Sequence, residues 1–212
     1  MSVVLVTGGG VRVGKAIAVA VSDKPTGPFR DARGSALVTN EMTPKGTHSW
    51  EDIDPTVFTD DDGTTWLAWG NRQCYIAKLK PNMTEIDGPI REITPPHFEE
   101  GPWLHKRGKL YYLTYASLDR KTQRDEHVSY STATSLDGPW THRGLLTGSG
   151  KYSFTIHPGI VQFKDNWYLF LHNAALTITV ATTLVDPVIA PARRRLHDRC
   201  RRAYHLLQRR RR

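Results

Sequence analysis

Three stretches of this chain repeat one another, and that repetition limits the folds open to it more than any other feature. They read IDPTVFTDDDGTTWLAWGN from Ile53, EGPWLHKRGKLYYLTYAS from Glu100 and IHPGIVQFKDNWYLFLHN from Ile156. Each places a polar residue before Pro or Gly, then an apolar run, a charged turn and an aromatic run. The polar residues that lead are Asp54, Glu100 and His157, separated by 46 and 57 positions. A second element recurs as AVSDKPTGPF from Ala20 and TATSLDGPW from Thr132, each a strand-like run ending in Gly-Pro-aromatic. A β-hairpin unit returning every roughly 40–60 residues points to the blades of a β-propeller.

The punctuation between the runs agrees. From about residue 19 to 178, short Val, Ile, Tyr, Trp and Leu runs alternate with Asp-Gly, Pro-Gly and Gly-Pro turns, and helical periodicity is missing. The turns at Asp61-Asp62-Gly63 and Arg107-Gly108-Lys109 suit hairpins that need positive φ. The nearly continuous runs LYYLTY and WYLFL predict strands covered on both faces. In a propeller the first strand of each blade lines the central channel. The side chains that open those strands, Asp54, Glu100 and His157, are therefore expected to converge at one mouth of it.

Composition narrows the function classes once it is located along the chain. The net charge of +8 suggests a nucleic-acid binder. Residues 193–212, however, hold ten arginines against one acid, Asp198, so residues 1–192 carry about −1. The basicity belongs to the tail, ARRRLHDRCRRAYHLLQRRRR, which reads as a solvated segment or a basic helix, and no nucleic-acid partner is assigned to the body. No apolar run of eighteen residues exists, so no membrane partner is expected. The N-terminus lacks the pattern of a secretory signal, which leaves the compartment unassigned. Cys74 and Cys200 have no metal-ligand spacing and read as one buried and one tail thiol.

Two acids facing one cleft suit the cleavage of a glycosidic bond. One must hold a proton for the leaving oxygen, while another, ionised, activates water or attacks. Burial and a like neighbour raise one pKa and separate the roles. Trp50, Trp69 and Trp103 offer faces on which a sugar could stack. The competing reading is plain: Asp54 before Pro55 could cap a turn, and Glu99-Glu100 could be a solvated pair. Recurrence at matching blade positions favours function. The acidic run Asp60–Asp62 lies in a hairpin turn and reads as solvated turn chemistry, its pattern being incomplete for calcium.

The opening MSVVLVTGGGVRVGKAIA reads as a strand, a glycine turn and a helix start, and resembles the N-terminus of short-chain dehydrogenases through Thr7, Gly8 and Gly14. No second βαβ unit follows, and no Tyr-x-x-x-Lys, so residues 1–18 are expected to be a segment without that function.

Residues 19–178, through AVAVSDKPTGPF, WEDIDPTVFTDDDGTTWLAWGN, FEEGPWLHKRGKLYYLTYAS and SFTIHPGIVQFKDNWYLFLHN, resemble glycoside hydrolase family 43, the five-bladed β-propeller arabinofuranosidases and β-xylosidases. The resemblance implies an all-β fold, here an incomplete propeller of about three blades and part of another, and an inverting glycosidase of xylan and arabinan degradation. It implies Glu100 as general acid in Glu-Gly-Pro, with Glu99 the local competitor. It implies Asp54 as the aspartate that tunes and orients that acid. His157 becomes the channel histidine, holding substrate or a central calcium, and Trp69 and Trp103 become sugar-binding residues. No cofactor is required beyond such a structural calcium. The implied partners are xylo- and arabino-oligosaccharides, with self-association through open propeller edges. The family's general base, an aspartate of the first blade, has no counterpart, because no aspartate precedes Asp23 and Asp23 sits in an outer-strand turn. Hydrolysis is therefore expected to be weak or absent, and a non-catalytic pentose-binding remnant is the alternative. Residues 179–212 match nothing in the resemblance.

Overall fold

The computed structural model describes residues 2–10, 14–43, 46, 48–150, 152–174 and 188–192. Among them the regular structure is β throughout, apart from one 3-10 turn at Asn40–Met42. Four antiparallel sheets follow one another along the chain. The first holds β1 (Ser2–Gly10), β2 (Gly14–Ser22) and β3 (Arg30–Asp31). The second holds β4 (Thr56–Thr59), β5 (Thr65–Trp69), β6 (Tyr75–Leu79) and β7 (Ile86–Glu92). The third holds β8 (Phe98–Arg107), β9 (Leu110–Ser117), β10 (His127–Ala133) and β11 (Thr141–Thr147). The fourth holds β12 (Gly159–Phe163), β13 (Asn166–Leu171) and β14 (Val188–Ala192). Each sheet is a meander of sequence-adjacent strands, the topology of a propeller blade.

The repeats form equivalent hairpins. In β4–β5 the register runs from Thr56↔Ala68 to Thr59↔Thr65, in β8–β9 it closes at Arg107↔Leu110, and in β12–β13 at Phe163↔Asn166. Each turn has one residue at positive φ: Gly63 at 82°, Gly108 at 61° and Lys164 at 53°. Two glycines and one lysine thus meet the same local demand, and only the lysine bears the Cβ cost. The two Gly-Pro-aromatic elements also match, with Gly27-Pro28 and Gly138-Pro139 both cis.

The sheets pack face to face through alternating side chains. On β5, Leu67 and Trp69 join Ile17, Val19, Leu37, Val38, Tyr75, Ala77 and Leu79 in a core against the first sheet. The intervening Trp66 and Ala68 join Cys74, Ile76, Phe98, Leu104, Leu113, Tyr115 and Leu136 against the third. Period-two alternation explains why TWLAW is apolar at successive positions: both faces of the strand are covered. A smaller core of Val128, Leu146, Ile156 and Leu169 joins the third and fourth sheets.

Several expectations change here. Residues 14–22 do not begin a helix. They form β2, paired antiparallel with β1 from Ser2↔Ser22 to Gly10↔Gly14, so the dehydrogenase-like opening is a β-hairpin. Small β-branched and alanine residues in KAIAVAVS alternate inward, with Ile17, Val19 and Val21 buried, and that period of two overrides the helix signal. With β14 paired to β13, the described residues form two four-stranded and two three-stranded blade-like sheets, in keeping with an incomplete propeller. Coverage of WYLFL on both faces is incomplete, since only Leu169 in β13 is fully buried. Cys74 is buried as expected, whereas Cys200 and the basic tail lie outside the described residues.

Candidate active site

The three lead residues converge. Asp54 stands two positions before β4, Glu100 lies within β8 and His157 stands two positions before β12. One ligand-type atom from each comes within 4.8 Å of the others. Local backbone geometry arranges this. Asp54 adopts φ 56°, the left-handed region that disfavours a residue with a Cβ. Glu100 sits at a bulge, with register shifts on both sides of its pairing with Ala116, which turns its side chain away from the regular pleat. Gly101 follows at φ 59°, and a Cβ there would come within 2.9 Å of the His157 ring. Glycine after the acid is thus needed twice, for backbone conformation and for the imidazole that packs on it.

Charges are distributed unevenly within the cluster. Glu100 accepts a 2.7 Å hydrogen bond from Asn71 Nδ2 and pairs with His157 Nε2 at 2.8 Å. Asp54 Oδ2 lies 3.8 Å from the same Nε2. Burial works against an imidazolium at His157, but the bond to Glu100 and the charges of Asp54, Glu100 and Glu126 outweigh it and push its pKa up to about 9. Burial also raises Asp54 to about 6, assisted by the Glu100 charge and opposed by His157. Glu100 is buried too, yet its hydrogen bonds and the imidazolium hold it below the usual glutamate range. Glu99 points elsewhere: its carboxylate pairs with Arg120, and burial raises its pKa despite that partner.

Two of the expected sugar-stacking residues are placed differently. Trp69 is fully buried in the core between the first two sheets and donates from Nε1 to Asp52 Oδ1 at 3.0 Å. No face of it is left for a sugar, which corrects the expectation; an aromatic residue with apolar neighbours on every side is core. Trp103 is half-buried and donates from Nε1 to the Ile160 carbonyl at 2.8 Å, joining β8 to β12. Trp50 is 45% exposed and leans on His48, with ring centroids 4.5 Å apart. The acidic turn is also more than solvated: Asp60 accepts from Lys106 Nζ at 2.7 Å and from the Tyr111 hydroxyl, linking the second and third sheets.

The donor set around His157 does not suit calcium. The Nε2 atom is already engaged by Glu100, and the ring lies flat against Gly101. Calcium takes six to eight oxygen ligands, and Asp54 and Glu100 offer only two carboxylates here beside an imidazole nitrogen. These three side chains do not by themselves make a calcium shell.

Three nearby residues were not legible beforehand. Asn71 ends the first repeat unit, and Asn173 ends the third at the matching position, so recurrence held a signal for it. His172 packs edge-on against His157 with centroids 5.5 Å apart, and its Nδ1 accepts from the His157 amide at 3.4 Å. Glu126 stands just before β10, outside every repeat, and nothing in the sequence distinguished it.

The model of glycosyl hydrolases family 43 matches residues 4–191. The chain belongs to that family. The match extends beyond both ends of the 19–178 region on which the resemblance rested, taking in β1 and β14. A β-D-galactofuranosidase of Aspergillus niger is 34% identical over 170 residues, covering 78% of this chain and 48% of that protein. An arabinoxylan arabinofuranohydrolase of Bacillus subtilis is 31% identical over 183 residues, covering 75% of this chain and 36% of that protein. The chain therefore spans about half or less of these relatives. Among solved structures, a β-xylosidase/α-arabinofuranosidase from a compost metagenome, in complex with xylotriose and in calcium-free form, superposes at TM-score 0.73 with 25% identity, over 89% of this chain and 66% of the other. An α-L-arabinofuranosidase of Clostridium thermocellum gives 0.69 at 24% identity, a likeness of fold. The fold of this chain is thus an incomplete five-bladed propeller whose sheets do not close.

Proposed function

We propose that this chain carries the acid half of an inverting glycosidase site acting on terminal arabinofuranosyl or xylosyl residues of xylan- and arabinan-type oligosaccharides. The single observation that supports this most is the meeting of Asp54, Glu100 and His157 from three successive blade openings. Glu100 is the acid that protonates the leaving oxygen. Asp54, ionised above about pH 6, sets the field around it. His157 steadies the negative charge left on Glu100 after the proton has gone. The chemistry needs side chains and water and no organic cofactor.

The family's base aspartate is not among residues 1–22, and Asp23 is exposed. Base assistance is commonly worth about 10²–10⁴-fold, so these residues by themselves should hydrolyse weakly. That same feature favours a second reading, in which the cleft binds a pentose without cutting it. An unclosed ring also leaves blade faces without neighbours, and self-association through them belongs to the proposal. The test is release of the aryl group from an aryl α-L-arabinofuranoside and an aryl β-D-xyloside, with Glu100→Gln alongside. Turnover lost in that variant supports the enzyme, binding without turnover supports the second reading, and turnover unaffected by the variant overturns the assignment of Glu100.

A further inference from the structure

The seams between neighbouring sheets are not filled alike at their rims. Tyr112 stands 46 positions after Trp66, the same step as from Asp54 to Glu100, so the two rings hold the same place in successive hairpins. Tyr112 stacks on His105 with centroids 4.8 Å apart and lies parallel to Tyr130 at 6.4 Å. His105 in turn meets Trp167 of the fourth sheet at 5.4 Å. Aromatic rings thus close that seam. Around Trp66, charged side chains take their place. Lys78 Nζ lies 5.1 Å and the Arg91 guanidinium 5.4 Å from its ring centroid. Between the second sheet and the loop joining β10 to β11, a cavity of about 370 Å³ stays open, lined by Lys78, Asp87, Gly88, Pro89, Arg91 and Asp137.

The walls of this cavity have bonding capacity to spare. Lys78 and Asp87 are partners across β6 and β7, yet no ion pair joins them. Among the described residues neither side chain has a hydrogen-bond partner. Arg91 pairs with Asp137, which ties β7 to the loop and frames the opening. A Cβ built on Gly88 would meet nothing within 4 Å, so the space beside it is free. None of these residues belongs to the cleft. Lys78 and Asp87 lie two and three strands outward from β4, the strand that Asp54 precedes.

The charges on the lining select the ligand. Two cations and two carboxylates leave no net charge to attract an ion. An anion would meet Asp87 and Asp137, and a cation would meet Lys78 and Arg91. An ionised carboxylate only accepts hydrogen bonds and an ammonium only donates them. A hydroxyl does both, so neighbouring hydroxyls on one neutral ring can satisfy Asp87 and Lys78 together. The volume falls in the range of small-molecule sites, about 300–1,000 Å³. We propose that this rim cavity is a second carbohydrate site, apart from the cleft, that holds a sugar unit of a neutral oligosaccharide. The choice of sugar rests on the reading of the chain as a glycosidase of pentose oligosaccharides. A saccharide held at the rim would stay with the protein while its cut end leaves the cleft.

The experiment is a 1H–15N NMR titration of the full chain with xylotetraose, and in a second arm with arabinotetraose. It is run on the wild type and on Glu100→Gln, which keeps the saccharide intact. With at least one of the two saccharides, the amides of Lys78, Asp87, Gly88, Arg91 and Asp137 and the Trp66 indole N–H are expected to shift as one group. That group should titrate separately from the signals around Asp54 and His157. Asp87→Ala and Lys78→Ala should each weaken the rim titration by roughly tenfold, the worth of one charge-assisted hydrogen bond, and leave the cleft titration in place. Both side chains are exposed, so the fold should survive either change, and if one variant fails the other decides. No rim shift with either saccharide would overturn the inference, as would rim shifts that both variants leave unchanged. Glucuronate, an anion, and glycine, a zwitterion, are the competing probes. A rim response to either at lower concentration than to the tetrasaccharides would overturn the neutral-sugar assignment. Rim shifts without cleft shifts would support the second site and count against the proposed function alone.

Discussion

Two clusters in this molecule use almost the same residue types and behave in opposite ways. In one, at the cleft, Asp54, Glu100, Glu126 and His157 are buried or half-buried and share too few positive charges. In the other, at the outer hairpin turns, Asp60 and Asp61 meet Lys106 and Tyr111 at 2.8 Å or less. Burial raises Asp60 as well, but the lysine and phenol hydrogen bonds reverse it and leave the carboxyl lowered. An acid beside a full cation is merely an ion pair. An acid whose cation is divided among several carboxylates has a proton to negotiate, and that is what makes it chemically useful.

The largest break in this symmetry should come from Glu100→Gln. Any turnover of an aryl pentoside should fall by about 10²-fold or more, whereas Asp61→Asn should leave the rate unchanged. The next effect separates the glycines that follow each cluster. Gly101→Ala places a Cβ against the His157 ring and forces an alanine to φ 59°, so chemical denaturation should report a loss of roughly 1–3 kcal/mol. Gly108→Ala, at φ 61° with open space around it, should lose only the conformational part, about 1 kcal/mol.

The two clusters should also differ in how stability depends on pH. Asp54 has a folded pKa raised to about 6, so its contribution is complete below the unfolded value of about 3.9 and is lost as pH rises through 6. His157, raised to about 9, contributes fully below about 6.5 and loses that contribution as pH climbs through 9. Melting temperature should therefore decline in both windows. Asp54→Asn should flatten the first and His157→Gln the second, and unchanged slopes would refute the electrostatic account. Asp60 has the opposite sign: its lowered carboxyl contributes above the unfolded value and loses that contribution in acid. The smallest effect is expected from Asp61→Asn, whose carboxylate is 86% exposed in its pair with Lys106 and whose loss should shift the melting point barely beyond scatter.

Much of this was readable because repetition converts sequence distance into spatial position. Asp54, Glu100 and His157 share nothing locally, and only their equal places before aromatic hairpins joined them. The same logic would have reached Asn71 through Asn173. It could not reach Glu126, which belongs to no repeated unit and is set by the path of one loop. Trp69 misled for a related reason: a strand buried on both faces and a sugar platform have the same composition, and only the neighbours distinguish them. At the N-terminus the small residues of KAIAVAVS were compatible with helix and strand alike. The sheet beside them, through contacts such as Ile17 with Val38 and Leu67, made the choice.

Among the described residues the three interblade cores share no member, so each sheet is packed chiefly against its immediate neighbours. Fraying should then travel inward from the outer sheets, as in a stacked array. Amide hydrogen exchange ought to be slowest in β5, β6 and β9, and the Val128–Leu169 seam should open ahead of them. His157 would leave its carboxylate partners at that moment, so the proposed site would come apart in a subglobal opening well before the polypeptide unfolds.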